Sequence, residues 1–288
     1  MHPTQKLRQT LDEEPFVIAP GAMDCISARA VEQNGFAVIY MTGMGTSACR
    51  LGLPDYGLAT MTEMVANAAA MTKAVRIPII ADADTGYGNE LNCFRAVRDY
   101  ERAGVAGIHI EDQLFPKRCG HLDRKEIVPR EDWLAKLRAA VAARRDPDFL
   151  LIARTDARAV VGFEEAVARA NAALEAGADM AFVEAPETME ELAAVPKLVA
   201  GPCLLNIVHR GRTPAISLPD AAAMGYRLAI IPALLLMAGI AAGEAALAAL
   251  RESGSYPAAL APLSVGEAFA RVGAGEWEPR RTAFRRDP

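Results

Sequence analysis

The sequence predicts a single closed (β/α)8 barrel over residues 1–288, with a helix ahead of it and a helical tail behind it. Three observations lead to this fold. Eight short apolar runs alternate with stretches of helical length, an order that builds a parallel sheet covered by helices. Four of the runs follow a glycine: NGFAVIYM (34–41), AGVAGIHI (103–110), AGADMAFV (176–183) and MGYRLAII (224–231). A glycine closing a helix adopts the left-handed conformation cheaply, and an apolar run behind it suits a strand buried on both faces. Finally, nearly every run ends in an ionisable or amide side chain, and polar residues gathered at C-terminal strand ends favour a barrel over an open doubly wound sheet.

Taken in order, Met1 to Glu14 is polar with Leu7 and Leu11 on one side and reads as an amphipathic helix. The run FVIAPG (16–21) is the first strand, and Asp24 caps a helix that ends near Gly35. After the strand at 34–41 comes IPIIADAD (77–84). Asn89 then caps a helix that carries Leu91, Phe94 and Val97 on its apolar side up to Gly104. Beyond the strand at 103–110, residues 130–144 place Trp133, Leu137, Ala140 and Val141 on one stripe of a charged helix. FLLIARTD (149–156), the run at 176–183, PCLLNIV (202–208) and the run at 224–231 complete the eight strands. The apolar stretch Leu228–Gly243 is short for a membrane span and is interrupted by Pro232, so it reads as a strand leading into an interface helix. Arg280, Arg281, Arg285 and Arg286 form a solvated tail.

Composition agrees with this fold. The chain of 288 residues is 52% apolar and 23% charged, as expected of a barrel with a large core. A net charge of -5 with scattered Lys and Arg argues against a nucleic-acid partner. The N-terminus has no apolar segment of the secretory kind, which predicts a cytoplasmic protein with no membrane partner. Five cysteines, at 25, 49, 93, 119 and 203, form no CxxC pair and read as free thiols, four in the core and Cys119 outside it.

The strand ends carry Asp82, Asp84, Glu111, Asp112, Arg154, Asp156, Glu184 and Asn206. Such groups are costly to bury singly, so their recurrence predicts one shared polar site, although Asp112 and Asp156 read equally well as caps or ion-pair partners. Asp82, Asp84 and Glu111 lack an adjacent thiol or histidine pair and suit a hard cation, Mg2+ or Mn2+. Strand alternation turns His109 away from its neighbours, which assigns it a structural role. A mobile loop follows, Pro116-Lys117-Arg118-Cys119-Gly120-His121. Two cations and a histidine beside Cys119 predict a depressed thiol pKa; the alternative is an ordinary exposed thiol. Tyr40-Met41-Thr42-Gly43-Met44-Gly45-Thr46 either offers backbone N–H groups to an anion or is a plain βα turn.

These residues resemble the isocitrate lyase and phosphoenolpyruvate mutase superfamily over essentially the whole chain. The resemblance is carried by LPD (53–55), DADTGYG (82–88), HIEDQ (109–113), PKRCGH (116–121), ARTDA (153–157) and EA (184–185). KRCGH is similar to the lyase branch. The resemblance implies a barrel enzyme that cleaves a carbon–carbon bond in a small 2-hydroxy dicarboxylate. Asp82, Asp84 and Glu111 would hold Mg2+ largely through water, with Asp55 nearby. Arg154 would grip a substrate carboxylate, and Thr42, Gly43 and Met44 would offer donors to the keto-acid portion. Glu184 and Asn206 would line the rest of the pocket, and Tyr40 would help remove the hydroxyl proton. Cys119, with Lys117 and His121 beside it, would protonate the carbanion. A homotetramer of helix-swapped dimers is also implied, with 233–250 as the swapped helix.

Two departures bear on substrate. Strand 7 continues Asn206-Ile207-Val208-His209-Arg210-Gly211, where methylisocitrate lyases carry an acidic and aromatic pair, and strand 8 continues Pro232-Ala233-Leu234-Leu235 without a hydroxyl. Both point to a more apolar pocket and an alkyl-substituted malate such as 2,3-dimethylmalate. Oxaloacetate decarboxylation or hydrolysis, and phosphonomutase chemistry, are the rival activities on this fold. A non-catalytic barrel is the rival outside enzymology.

Overall fold

The structure, a computed structural model, describes residues 1–284; Arg285 and Arg286 of the basic tail lie outside the described residues. Eight parallel strands form the barrel: β1 (Val17–Ala22), β2 (Ile39–Met41), β3 (Ile79–Asp82), β4 (Gly107–Glu111), β5 (Leu150–Thr155), β6 (Met180–Val183), β7 (Leu204–Asn206) and β8 (Leu228–Ile231). They pair in the order β6-β5-β4-β3-β2-β1-β8-β7. A parallel bridge between Ala181 and Cys203, with Ala181 N donating to Pro202 O at 2.9 Å, brings β6 and β7 together and closes the ring.

Side-chain alternation divides each strand between two cores. Val17, Ala19, Tyr40, Ile80, Leu150, Ile152, Phe182, Leu204, Leu228 and Ile230 fill the barrel interior. The residues between them, including Met41, Ala81, Ile108, Ile110, Leu151 and Ala153, pack outward against the helices, where Trp133, Leu137 and Ala140 are buried as expected. The N-terminal helix Pro3–Glu13 is amphipathic for a specific reason. Its Leu7 and Leu11 join the interior cluster and plug the end of the barrel opposite the polar strand ends.

Asp24 and Asn89 cap the helices Cys25–Gln33 and Glu90–Ala103 as expected. The buried stripe of the second helix differs from expectation: Cys93, Ala96, Val97 and Tyr100 face inward, while Leu91 and Phe94 are exposed. The i, i+3, i+4, i+7 spacing of the buried set makes one continuous face, and the Tyr100 hydroxyl donates to Asp82 O at 2.9 Å. The cysteines also depart from expectation, because only Cys93 and Cys203 are buried and Cys49 is exposed. After β8 the chain forms the helices Leu234–Ser253, Val265–Arg271 and Ala274–Phe284; Pro232 lies ahead of the first, which runs on beyond the apolar stretch that ends at Gly243. By length and composition this helix could cross a membrane. Only its Leu236 is buried, and Leu234, Met237, Ile240, Leu247 and Leu250 are exposed.

Candidate active site at the barrel mouth

The interior parity continues past the apolar layers. Asp82 follows Ile80, Arg154 follows Ile152, Glu184 follows Phe182 and Asn206 follows Leu204, each two residues on, so all four turn into the mouth of the barrel. The same count puts His109 on the face of Glu111, opposite Ile108 and Ile110 as alternation predicts. It lies inside the barrel, its Nε2 2.7 Å from the Tyr40 hydroxyl and 3.4 Å from Asp82 Oδ1. Register pairs Asp82 with His109 and Glu111 with Arg154 on adjacent strands.

Tyr40, Thr42, Met44, Asp55, Asp82, Lys117, Cys119, Gly120, His121, Arg154, Glu184 and Asn206 line one cavity of about 50 Å3, closed by Val208, Pro232 and Ala233. Gly43 adjoins it by donating its N–H to Asp82 Oδ2 at 3.2 Å, and a Cβ at this position would lie 2.5 Å from that oxygen. Thr42 caps the short helix Gly43–Thr46, so the turn read from the sequence contains a helical segment. His209 and Arg210, expected to alter the pocket, are exposed and line a separate groove, leaving Val208 as the residue of that segment on the cavity wall.

The loop after β4 lies closed over this cavity. Lys117 Nζ sits 2.5 Å from Asp55 Oδ1 and 2.7 Å from Asp84 Oδ1. Burial opposes its charge, but Asp84 and Asp55 outweigh burial and keep the amine protonated. Arg118 turns away to lie over the Tyr56 ring, 5.8 Å from its centroid. Neither cation therefore approaches the Cys119 sulfur, and the expected depression of its pKa is reversed. Burial pushes the thiol up, against a smaller opposing effect of a backbone hydrogen bond at His121. Burial therefore favours the neutral thiol.

Arg154 is buried among carboxylates. Its Nε donates to Asp156 Oδ2 at 2.9 Å, its Nη1 lies 3.3 Å from Glu111 Oε2, and its guanidinium covers the Phe182 ring at 5.2 Å. Glu184 accepts from Asn206 Nδ2 at 3.2 Å and lies 3.1 Å from His121 Nε2. Burial raises this carboxyl, but Arg154 and His121 more than offset that and hold it at about 2. Asp112 and Asp156 serve the scaffold: Asp112 accepts from Thr155 Oγ1, Asp156 N and Arg169 Nη1, and Asp156 pairs with Lys125 and Arg154.

The metal-candidate carboxylates behave unlike these satisfied groups. Both Glu111 oxygens are buried without a hydrogen-bond partner, and burial pushes the group well up despite Arg154. Burial also pushes Asp84, at a left-handed φ of 47°, up to about 7, with Lys117 opposing and Asp82 reinforcing the shift. Asp82 is held at about 2, because His109, Lys117 and Arg154 outweigh its burial. Among the described residues no three His, Cys, Asp or Glu side chains converge closely enough to chelate an ion directly. Unsatisfied acceptors without a chelating triad fit a hydrated hard cation better than a directly ligated one.

The sequence reading missed His109 and Gly120 as members of the site. Counting by twos from Glu111 would have found the first; no local signal marks the second, whose absent side chain makes room for Arg154 and Glu184.

The family model for phosphoenolpyruvate phosphomutase matches residues 7–251. The chain belongs to this family, within the isocitrate lyase superfamily. It is 48% identical over 232 residues to a 2,3-dimethylmalate lyase of Eubacterium barkeri, covering 81% of this chain and 80% of that one. It is 40% identical over 275 residues to a 2-methylisocitrate lyase of Aeropyrum pernix, covering 95% and 88%. Among solved structures, an oxaloacetate acetylhydrolase bound to 3,3-difluorooxalacetate superimposes with a TM-score of 0.95 at 38% identity, with both chains covered fully. A phosphonopyruvate hydrolase bound to oxalate and Mg++ gives 0.87 at 34%, covering 99% of each chain. Members of the family thus share this barrel while acting on different small oxo and hydroxy acids.

Proposed function

We propose that the chain is a divalent-cation-dependent carbon–carbon lyase that cleaves a substituted malate, of the 2,3-dimethylmalate type, into a 2-keto acid and a carboxylate. The observation that carries this reading is the Cys119 thiol enclosed in one cavity with buried Arg154 and the carboxylates Asp55, Asp82 and Glu184. The similarity to 2,3-dimethylmalate lyase supports the substrate class, as do Val208, Pro232 and Ala233 on the wall.

Cleavage removes the hydroxyl proton, breaks the bond between C2 and C3, forms the keto group at C2, and leaves an electron pair on C3 that a proton must quench. Arg154 presents a planar fork to a substrate carboxylate. The Tyr40 phenol is pushed well above its usual pKa, first by burial and then by Asp82, so it acts as a hydrogen-bonded relay with neutral His109 behind it. Cys119 gives its proton to C3, and the thiolate regains one as products leave. Asp82, Asp84 and Glu111 would hold Mg2+ or Mn2+ through water. The ion, when bound, supplies Lewis acidity to the oxygens of the forming keto acid. The closed loop excludes water from the carbanion.

Oxaloacetate hydrolysis is the second reading, favoured by the fit to oxaloacetate acetylhydrolase. Assaying 2-keto-acid release from malate, 2,3-dimethylmalate and 2-methylisocitrate, and the conversion of oxaloacetate to oxalate and acetate, with Mg2+ and with chelator, separates the two. The lyase reading predicts turnover of substituted malates that is lost with chelator and reduced about 10²- to 10⁴-fold in Cys119→Ser. Turnover of oxaloacetate alone, undiminished in Cys119→Ser, would overturn it. The apolar exposure of Leu234–Ser253 suits burial against neighbouring copies in a homotetramer, which light scattering tests. The free cysteines suit a cytoplasmic location.

A further inference from the structure

We propose that Arg212 is a positioning residue for Cys119: it clasps the loop that carries the thiol and fixes the orientation of His121. Its catalytic consequence rests on the lyase reading above.

Arg212 lies in the segment after β7 and is not part of the cavity wall. Its backbone N–H donates to His121 Nδ1 at 3.1 Å, and its Nε approaches His121 O at 3.4 Å. Nη1 donates to Glu187 Oε1 at 3.0 Å, and Nη2 pairs with Asp123. One residue thus holds the loop at two positions and ties both to the segment after β6. Glu187 is itself anchored, because Arg158 Nη1 lies 3.0 Å from its other oxygen.

The contact with Nδ1 also selects the tautomer. Because Nδ1 accepts a hydrogen bond, Nε2 carries the ring proton and presents it to Glu184 Oε1 at 3.1 Å. Gly211 permits this approach, since a Cβ there would lie 2.6 Å from His121 Nδ1. The restraint reaches the thiol through a short turn, in which Leu122 N donates to Cys119 O at 2.9 Å.

A second tether operates from the inner side. Lys125 Nζ is buried and bonds both Gly120 O and Asp156 Oδ1. The Arg212 clasp differs because it stands partly in water, with Arg212 and Glu187 each 31% exposed and Asp123 82% exposed. Ion pairs in that setting break readily, which suits a loop that must open for substrate and close for chemistry.

The test is the rate of Cys119 alkylation by iodoacetamide in the substrate-free protein, resolved by peptide mass spectrometry, for wild type, Arg212→Ala and Arg212→Lys. Cys93 and Cys203 serve as buried references and Cys49 as the exposed one. The clasp predicts an increase of about tenfold at Cys119 in Arg212→Ala, with the buried references unchanged and Arg212→Lys in between. It also predicts a parallel fall in kcat. An unchanged Cys119 rate, a rise shared by Cys93 and Cys203, or faster alkylation with full kcat would each overturn the proposal. The alkylation arm needs no substrate, so a wild-type protein without lyase activity would sink the functional reading while leaving the clasp testable.

Discussion

Replacing Gly120 with alanine adds one methyl group at the most crowded point of the site. The new Cβ would stand 2.4 Å from Arg154 Nη2 and 2.5 Å from Glu184 Oε1, whereas ordinary contact begins near 3.4 Å. About 1 Å of movement is required. Gly120 has no left-handed backbone, so alanine is conformationally permitted and the effect is one of contact alone. Arg154 is fixed by Asp156 and Glu111, and Glu184 by Asn206 and His121, so the loop yields before they do. Lifting it strains the bond from Lys125 to Gly120 O and carries Cys119 off its station. A misplacement of about 1 Å costs roughly 10²-fold in rate. Gly120→Ala should therefore lose about that factor in kcat/KM for 2-keto-acid release, followed by a coupled reductase assay. Its thermal midpoint should stay near wild type, because the barrel core is untouched. Activity within threefold of wild type would refute the claim that closed-loop geometry sets the rate.

Three further outcomes follow from the structure. Leu7 is fully buried in the barrel plug, so Leu7→Ala should cost about 2–5 kcal/mol in denaturant unfolding while leaving KM unchanged, since the site lies at the opposite end. Glu184 is held at about 2 against an ordinary 4.5, so the unfolded chain binds the extra proton between those values. Its contribution, about 3 kcal/mol, is present above pH 4.5 and lost as pH falls toward 2; Glu184→Gln should flatten that part of the stability profile, and an unaltered profile would contradict the pairing. Because burial raises the Cys119 thiol, its alkylation should have a midpoint above the 9.0 of an ordinary cysteine, and a midpoint below 7 would restore the depressed thiol read from the sequence.

Much of this molecule was legible before its structure. The eight strands were readable because each is a short apolar run marked by glycine or by a polar terminus, and both signals are local. The N-terminal helix was equally clear from Leu7 and Leu11, but nothing local said that these residues would plug a barrel. Alternation turned His109 away from Ile108 and Ile110 as the structure has it, but nothing local said that this face, shared with Glu111, is the barrel interior. The Leu91 and Phe94 error came from choosing the wrong phase of a helix that offers two apolar faces.

What the sequence determined by itself was the alternation of elements, the caps, and the set of polar residues at the strand ends, because these depend on neighbours a few positions away. The tertiary structure decided how those residues pair and which of them are charged. Lys117 and Arg118 adjoin Cys119 in sequence, yet one turns to Asp55 and Asp84 and the other to Tyr56. The thiol is left to the effect of burial. Electrostatics in a closed barrel mouth depends on distance and desolvation among segments far apart in the chain, and neither can be counted along it.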